Sequence, residues 1–140
     1  MFSININGCL HGYFHGNRGL RKGDPLSPFL FVICMEDFSR ILDSIIENSR
    51  AFKFHWRCGK TFISHLCFED DLILFSYGNV ESVLVLKKGL DIFSFLSGLS
   101  INFSKSMMFS AGLTTEVKEN IGVLMGISAS LFPLHYLGCL

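Results

Sequence analysis

The sequence lacks a long hydrophobic run, a pair of closely spaced cysteines and a net charge. Its longest apolar stretch, Phe29 to Met35, is too short to cross a bilayer, and its first residues do not follow the pattern of a signal peptide. The five cysteines form no Cys-x-x-Cys pair, and two short histidine–cysteine pairs do not repeat at zinc-site spacing. We therefore expect an intracellular protein with no membrane partner, no disulfide framework and no structural zinc.

The charge that is present is unevenly distributed along the 140 residues. Residues 1–68 carry eight basic and five acidic side chains, whereas residues 69–140 carry four basic and seven acidic ones. This pattern suits a phosphate-contacting region beside a cation-binding region, although solvated surface would give it as well. The high content of hydrophobic residues, 49%, including 15 phenylalanines, excludes a disordered chain.

Periodicity and turn signals predict alternating strands and helices. Asn7-Gly8 is a hairpin turn pair between strands 2–6 and 9–14, and Ser27-Pro28 is a helix start, with serine as the cap. Further strands are expected at 62–68, 72–75, 99–103, 107–110 and 134–140. Helices are expected from Ser27 to about Asn48, from about Val80 to Ser97 before Gly98, and from Thr114 or Thr115 through Leu124. This order predicts an α+β fold with helices packed on one face of a mainly antiparallel sheet.

An acidic pair, Asp70-Asp71, lies between two apolar strands. Desolvating a carboxylate is costly unless a cation balances it, and no lysine or arginine occurs between Thr61 and Asn79. Carboxylates at a tight turn suit Mg²⁺, which prefers one or two of them together with substrate phosphates. An ordinary solvated turn remains the alternative.

A basic, glycine-containing loop precedes the first predicted helix and reads RGLRKGDPLSP, from Arg18 to Pro28. Glycines allow close approach of another chain, and basic side chains followed by a helix N-terminus favour phosphate. The alternative is a cationic loop that simply caps the helix.

Four segments, taken in order, carry a resemblance to a known family. They read RGLRKGDPLSPFLFVICME, HLCFEDDLILFS, SGLSINFSKS and YLG. The chain resembles the reverse transcriptase of plant LINE-type (non-LTR) retrotransposons over essentially its whole length. The resemblance implies that residues 1–140 are the later part of a polymerase palm. It also implies RNA-templated nucleotidyl transfer with Mg²⁺ or Mn²⁺, an RNA template, a DNA primer and deoxynucleoside triphosphates.

The resemblance also assigns roles to individual residues. Asp70 and Asp71 match the metal-binding box, and Lys105 matches a lysine proposed to protonate the leaving pyrophosphate; a surface lysine is the alternative. Three residues of the C-terminal segment, which match the hairpin that holds the primer end or else form a plain edge strand, are Tyr136, Leu137 and Gly138. The positions that match the nucleotide- and template-binding loop are Arg21, Gly23, Asp24, Pro25 and Ser27.

The sequence departs from the family pattern at several places. The family's fingers, an upstream strand with a further catalytic aspartate, and the thumb are not matched, and no acidic residue precedes Asp24. Glu69 replaces an alanine and adds a third adjacent negative charge, which can raise carboxylate pKa values, and Lys22 replaces a glutamine. We therefore expect this chain to be inactive by itself. The alternatives are a non-catalytic transposon remnant with at most weak nucleic-acid contact, and an unrelated α+β protein.

Overall fold

The computed structural model describes residues 2–15, 23–68 and 71–130, in which nine regular helices and strands and one short 3₁₀ helix occur. An antiparallel hairpin comes first and the remaining elements alternate around three α-helices, so the α+β prediction is confirmed. In chain order the elements are β1 (Phe2–Ile6), β2 (Cys9–Phe14), α1 (Ser27–Glu47), β3 (His65–Phe68), β4 (Asp71–Leu74), α2 (Val80–Ser97), the 3₁₀ helix (Phe103–Lys105), β5 (Met107–Phe109), α3 (Thr115–Met125) and β6 (Ser128–Ser130).

The helix ends follow the local signals in the sequence. Gly98 ends α2 in the left-handed conformation, with φ +76°, and its N–H donates to the Ser94 carbonyl at 2.9 Å. Thr114 caps α3, since its hydroxyl accepts from the Val117 N–H. The start of α1 differs from the prediction, because Leu26 occupies the N-cap position and Ser27 is already helical.

The core lies between α1 and α2. Phe38, Leu42 and Ile46 recur along one face of α1 and pack against Leu86 and Leu90 of α2, with each side chain at most 8% exposed. This spacing places three apolar side chains on one stripe of the helix, which is why the two helices pack through it.

A glycine allows the two helices to approach closely. A Cβ atom added at Gly89 on α2 would lie 2.9 Å from a terminal methyl carbon of Leu42 on α1. Any side chain at this position would therefore displace Leu42, so the absence of one contributes to the packing of α1 against α2.

The described strands form three separate two-stranded ladders. β1–β2 and β3–β4 are antiparallel, whereas β5 and β6 are parallel neighbours on either side of α3. The predicted Asn7-Gly8 turn is confirmed, with φ values of +52° and +86°. The parallel pair was not predicted, because Ser128–Ser130 carries no strand signal.

The strand predicted at 99–103 is wrong. In its place Asn102 organises a turn: its carbonyl accepts from the Lys105 N–H at 3.1 Å and from the Ser106 hydroxyl at 2.9 Å. Asparagine and serine side chains compete with ladder pairing by making such local bonds, and here the local bonds replace the strand. The strand predicted at 134–140 lies outside the described residues.

Not all apolar residues are buried. The first turns of α1 expose side chains on the side away from the core, including Phe29 and Val32, at 70% and 67%. Among the described helices, none combines the length and apolar character that crossing a membrane requires.

Shortening a core side chain should destabilise the protein much more than shortening an exposed one. Leu42→Ala should lower the free energy of unfolding by about 2–5 kcal/mol, because a fully buried side chain leaves a cavity. Urea unfolding followed by circular dichroism measures this loss. Val123→Ala is the matched control at an 85% exposed position, and an equal loss in both variants would contradict the assignment of the core.

Candidate active site

The β3–β4 hairpin carries Asp71, the second residue of the acidic pair, at the start of β4. Phe68 pairs with Asp71 at one end of the ladder and His65 pairs with Leu74 at the other. Glu69 and Asp70 connect the two strands and lie outside the described residues. Asp71 is exposed, and within the described part of the chain no basic side chain forms an ion pair with it.

The hairpin packs against the core through one face. Leu72 and Leu74 of β4 pack against the core cluster of α1 and α2. Because successive side chains of a strand point to opposite faces, this packing directs Asp71 away from the core. The strand therefore fixes the backbone of Asp71 and leaves its carboxylate accessible to a ligand.

His65 connects the base of the hairpin to α1. Its Nε2 lies 2.8 Å from the Ser39 hydroxyl and its Nδ1 lies 2.9 Å from the Ser64 hydroxyl. The Ser39 hydroxyl donates to the Met35 carbonyl at 3.1 Å, so it accepts from Nε2–H and leaves Nδ1 to accept from Ser64. The ring also packs edge-on against Phe38 at a centroid distance of 5.5 Å.

This environment favours the neutral imidazole. Burial lowers the pKa of His65 below its usual range, and the nearby Asp43 carboxylate partly opposes this effect. Both ring nitrogens are engaged by hydroxyl groups, so His65 positions the hairpin and is not available as a metal ligand in this arrangement.

The turn before α1 is built by Gly23 and Asp24. Gly23 has φ +83°, a left-handed conformation that glycine adopts without strain. One carboxylate oxygen of Asp24 accepts from the Leu26 N–H at 2.8 Å, and its carbonyl accepts from the Ser27 N–H at 3.0 Å. Asp24 thus satisfies backbone donors at the helix start, which is the capping role that the sequence assigned to Ser27.

Lys105 lies at the end of the 3₁₀ helix rather than between two strands. Its side chain is exposed and forms no ion pair with Asp71 or with any other described carboxylate. Nothing in the described residues holds it against the hairpin.

The structure accounts for only part of the predicted site. Gly23, Asp24, Pro25 and Ser27 form one turn at the start of α1, and Asp71 and Lys105 occupy separate elements. No three metal-ligating side chains cluster in the ranges 2–15, 23–68 and 71–130. The predicted site residues that lie outside these ranges are Arg21, Asp70, Tyr136, Leu137 and Gly138.

Comparison with known proteins identifies the family. The family model described as "Reverse transcriptase (RNA-dependent DNA polymerase)" matches residues 1–139. The chain belongs to the reverse transcriptase family.

Three relatives of this reverse transcriptase sequence differ in their identity to the chain and in the length that they share with it. A retrovirus-related Pol polyprotein from a type-2 retrotransposable element of Drosophila melanogaster is 33% identical over 87% of the chain and 10% of that protein. One from a type-1 element of Popillia japonica is 32% identical over 71% of the chain and 13% of that protein. An uncharacterized mitochondrial protein of Arabidopsis thaliana is 41% identical over 47% of the chain and 54% of that protein. The chain thus spans about a tenth of the length of the two polyproteins.

Asp24 should contribute to stability through its carboxylate acceptor. Asp24→Ala should lower the free energy of unfolding by about 1 kcal/mol, because the Leu26 N–H loses its partner. Asp24→Asn keeps a side-chain oxygen at the same place and should lose much less. Thermal unfolding of the two variants checks this, and equal losses would show that the negative charge, rather than the acceptor, is what matters.

His65 should make stability depend on pH. The pKa of His65 in the folded protein lies below the unfolded value of about 6.5. The contribution of His65 to the free energy of unfolding is therefore fully present above that pH. The unfolded chain takes up the proton first as the pH falls, and stability declines between the unfolded and the folded pKa. Urea midpoints between pH 8 and 5 measure the decline, and His65→Gln should flatten it. A decline that persists unchanged in His65→Gln would assign it to another group.

Proposed function

We propose that this chain is the later part of the palm of an RNA-directed DNA polymerase from a plant LINE-type (non-LTR) retrotransposon. In this proposal Asp70 and Asp71 hold Mg²⁺ or Mn²⁺ during RNA-templated transfer of deoxynucleotides to a primer. The observation that carries the proposal is Asp71, exposed at the end of an anchored hairpin in a chain of the reverse transcriptase family.

The donor set at the hairpin end is compatible with a hard divalent cation. Asp71 presents a carboxylate that no described basic side chain neutralises, and Asp70 precedes it directly in sequence. Mg²⁺ needs few protein carboxylates when substrate phosphates complete its coordination, so two are enough. When bound, the ion offsets negative charge on the attacking and leaving oxygens.

The chain's own residues have positioning and binding roles in this proposal. Leu72, Leu74 and His65 hold the hairpin on α1 and α2, so that Asp71 does not have to be ordered when substrate arrives. Asp24 orders the turn at the start of α1, beside which Arg21 would contact template or nucleotide. Gly23, Pro25 and Ser27 shape the same turn, and residues 136–138 would contact the primer.

Lys105 is proposed to protonate the leaving pyrophosphate. Its side chain is exposed and forms no ion pair with a described carboxylate, and a cation beside the triphosphate would offset the charge that develops on the leaving group. A role as a surface lysine remains the alternative for this residue.

A second candidate function is a non-catalytic transposon remnant. One sequence observation favours it: Glu69 adds a third carboxylate directly beside Asp70 and Asp71. We propose that the 140-residue chain retains metal affinity at the Asp pair and does not polymerise by itself.

Manganese binding tests the assignment of the Asp pair without requiring activity. Substoichiometric Mn²⁺ should broaden the amide NMR signals of Phe68, Asp71 and Leu72 and leave those of α3 sharp. Asp71→Asn should weaken this effect at least tenfold in Mn²⁺ concentration, because the remaining carboxylate binds alone. Selective broadening elsewhere, or an unchanged profile in Asp71→Asn, would contradict the metal assignment.

Primer extension on an RNA template with Mg²⁺ separates the two functions. The proposal expects no extension by the 140-residue chain. Extension that disappears in Asp70→Ala and Asp71→Asn would contradict the remnant and establish independent polymerase activity. Metal binding without primer extension supports the non-catalytic remnant. The Glu69→Ala variant then tests whether the extra carboxylate is the cause of the missing activity.

A further inference from the structure

The loop that joins α1 to β3, residues 49–64, carries uncompensated positive charge. It contains no acidic residue, and within the described chain no carboxylate lies within 4.0 Å of its basic groups. Their exposed positions place the charge on the surface, where it attracts anions. The four basic residues of this 49–64 loop are Arg50, Lys53, Arg57 and Lys60.

Two large aromatic side chains of the 49–64 loop are also exposed. Trp56 is 71% exposed and Phe62 is 72% exposed, whereas Phe52 and Phe54 of the same loop pack against the core. The Arg57 guanidinium carbon lies 4.7 Å from the centroid of the Trp56 ring, so cation and ring form one unit. Flat rings between cations suit a ligand that has both planar groups and negative charges.

The loop is held in shape by its own hydrogen bonds. The Cys58 N–H donates to the His55 carbonyl at 2.8 Å, and the Ile63 N–H donates to the Cys58 carbonyl at 3.3 Å. Lys53 anchors the loop through its backbone, since its N–H donates to the buried Ser82 hydroxyl at 2.9 Å. These bonds fix the turn that separates the two exposed rings before any ligand binds.

The backbone at Phe62 is strained. Its φ of +54° lies in the left-handed region, which a bulky residue rarely adopts. The neighbouring Phe54 ring contacts Phe62 at a centroid distance of 5.6 Å, which supports the ring from one side. Strain of this kind persists where the surroundings hold it, and it keeps an apolar ring at the surface.

We propose that the 49–64 loop binds single-stranded nucleic acid, with bases stacking on Trp56 and Phe62 and phosphates contacting Arg57 and Lys60. Stacking on aromatic rings between basic side chains is the usual chemistry of such binding, and it tolerates any base sequence. An anionic membrane surface or an acidic peptide would use the charges and leave the flat rings without stacking partners.

The inference rests on the proposed function only for the position of the bound strand relative to the metal-binding residues. The loop enters β3 at His65, whereas Asp71 lies at the other end of the hairpin, roughly 10 Å away at the rise of a β-strand. A strand bound by the loop would therefore approach the hairpin from the end opposite to Asp71.

The loop contains the single tryptophan of the chain, so its fluorescence reports directly on binding. The intact chain is titrated with oligothymidylate and with oligouridylate of about twelve nucleotides, in EDTA and without nucleoside triphosphates. Stacking should quench Trp56 emission, and the two oligonucleotides distinguish DNA from RNA as the preferred strand; either preference supports the proposal. Because no metal is present, the absence of oligonucleotide binding would not affect the proposal that Asp70 and Asp71 bind metal. Likewise, the absence of Mn²⁺ binding would not affect the proposal that the 49–64 loop binds nucleic acid.

Variants separate the two parts of the interaction. Trp56→Leu should weaken binding of a labelled oligonucleotide by about tenfold, measured by fluorescence anisotropy, because one stacking partner is lost. Arg57→Ala and Lys60→Ala should each reduce the slope of log affinity against log salt concentration by about 0.7. Lys118→Ala on α3 removes the same charge elsewhere and should leave the slope unchanged. Far-ultraviolet circular dichroism verifies that each variant is folded.

Several results would overturn the proposal. These are no binding by the intact chain, binding without quenching of Trp56, or binding that Trp56→Leu and Arg57→Ala leave unchanged. An equal emission change with vesicles of anionic phospholipid at the same ionic strength would assign the surface to a membrane instead. An equal loss of salt dependence in Lys118→Ala would show that overall charge is responsible.

Discussion

The contact between α1 and α2 determines the position of two predicted site elements, the start of α1 and the β3–β4 hairpin. Phe38 and Leu42 pack against Leu86 and Leu90, and Gly89 permits the close approach. The helix start at Ser27 and the β3–β4 hairpin are both attached to α1, the latter through His65. The hairpin also packs on the core through Leu72 and Leu74. A shift of one helix against the other would therefore disturb this packing and move both the hairpin and Asp71.

Much of this fold can be predicted from the sequence because its signals are local. The hairpin turn needs two residues with positive φ, which Asn7-Gly8 supply, and the end of α2 needs a left-handed residue, which Gly98 supplies. The ladder of β3 and β4 follows from two apolar runs on either side of an acidic break. In each case the deciding residues are neighbours in the chain, and no distant contact overrides them.

The remaining features depend on competition between local hydrogen bonds and strand pairing, which the pattern of apolar residues does not reveal. The segment 99–103 alternates like a strand, yet the Asn102 turn satisfies the same backbone groups locally. Ser128–Ser130 has little strand propensity and pairs with β5 because α3 returns the chain beside it. In the candidate site, the acidic pair was recognisable by its charge in an apolar setting. The use of the Asp24 carboxylate as a helix-start acceptor, and the exposure of Trp56, depend on geometry and on packing.

The first hairpin shows how unevenly the structure is stabilised. Side chains on both faces of β1 and β2 are exposed, including Ile4, Ile6 and Leu10, and no other described element packs extensively against the two strands. A two-stranded ladder without a buried face is marginally stable in water, because its cross-strand hydrogen bonds are not protected. Its amide hydrogens should therefore exchange with solvent through local opening, long before those of α1 and α2 do. Within the described ranges no third strand pairs with the outer edges of this hairpin, so a further strand could be added there without disturbing the helical core.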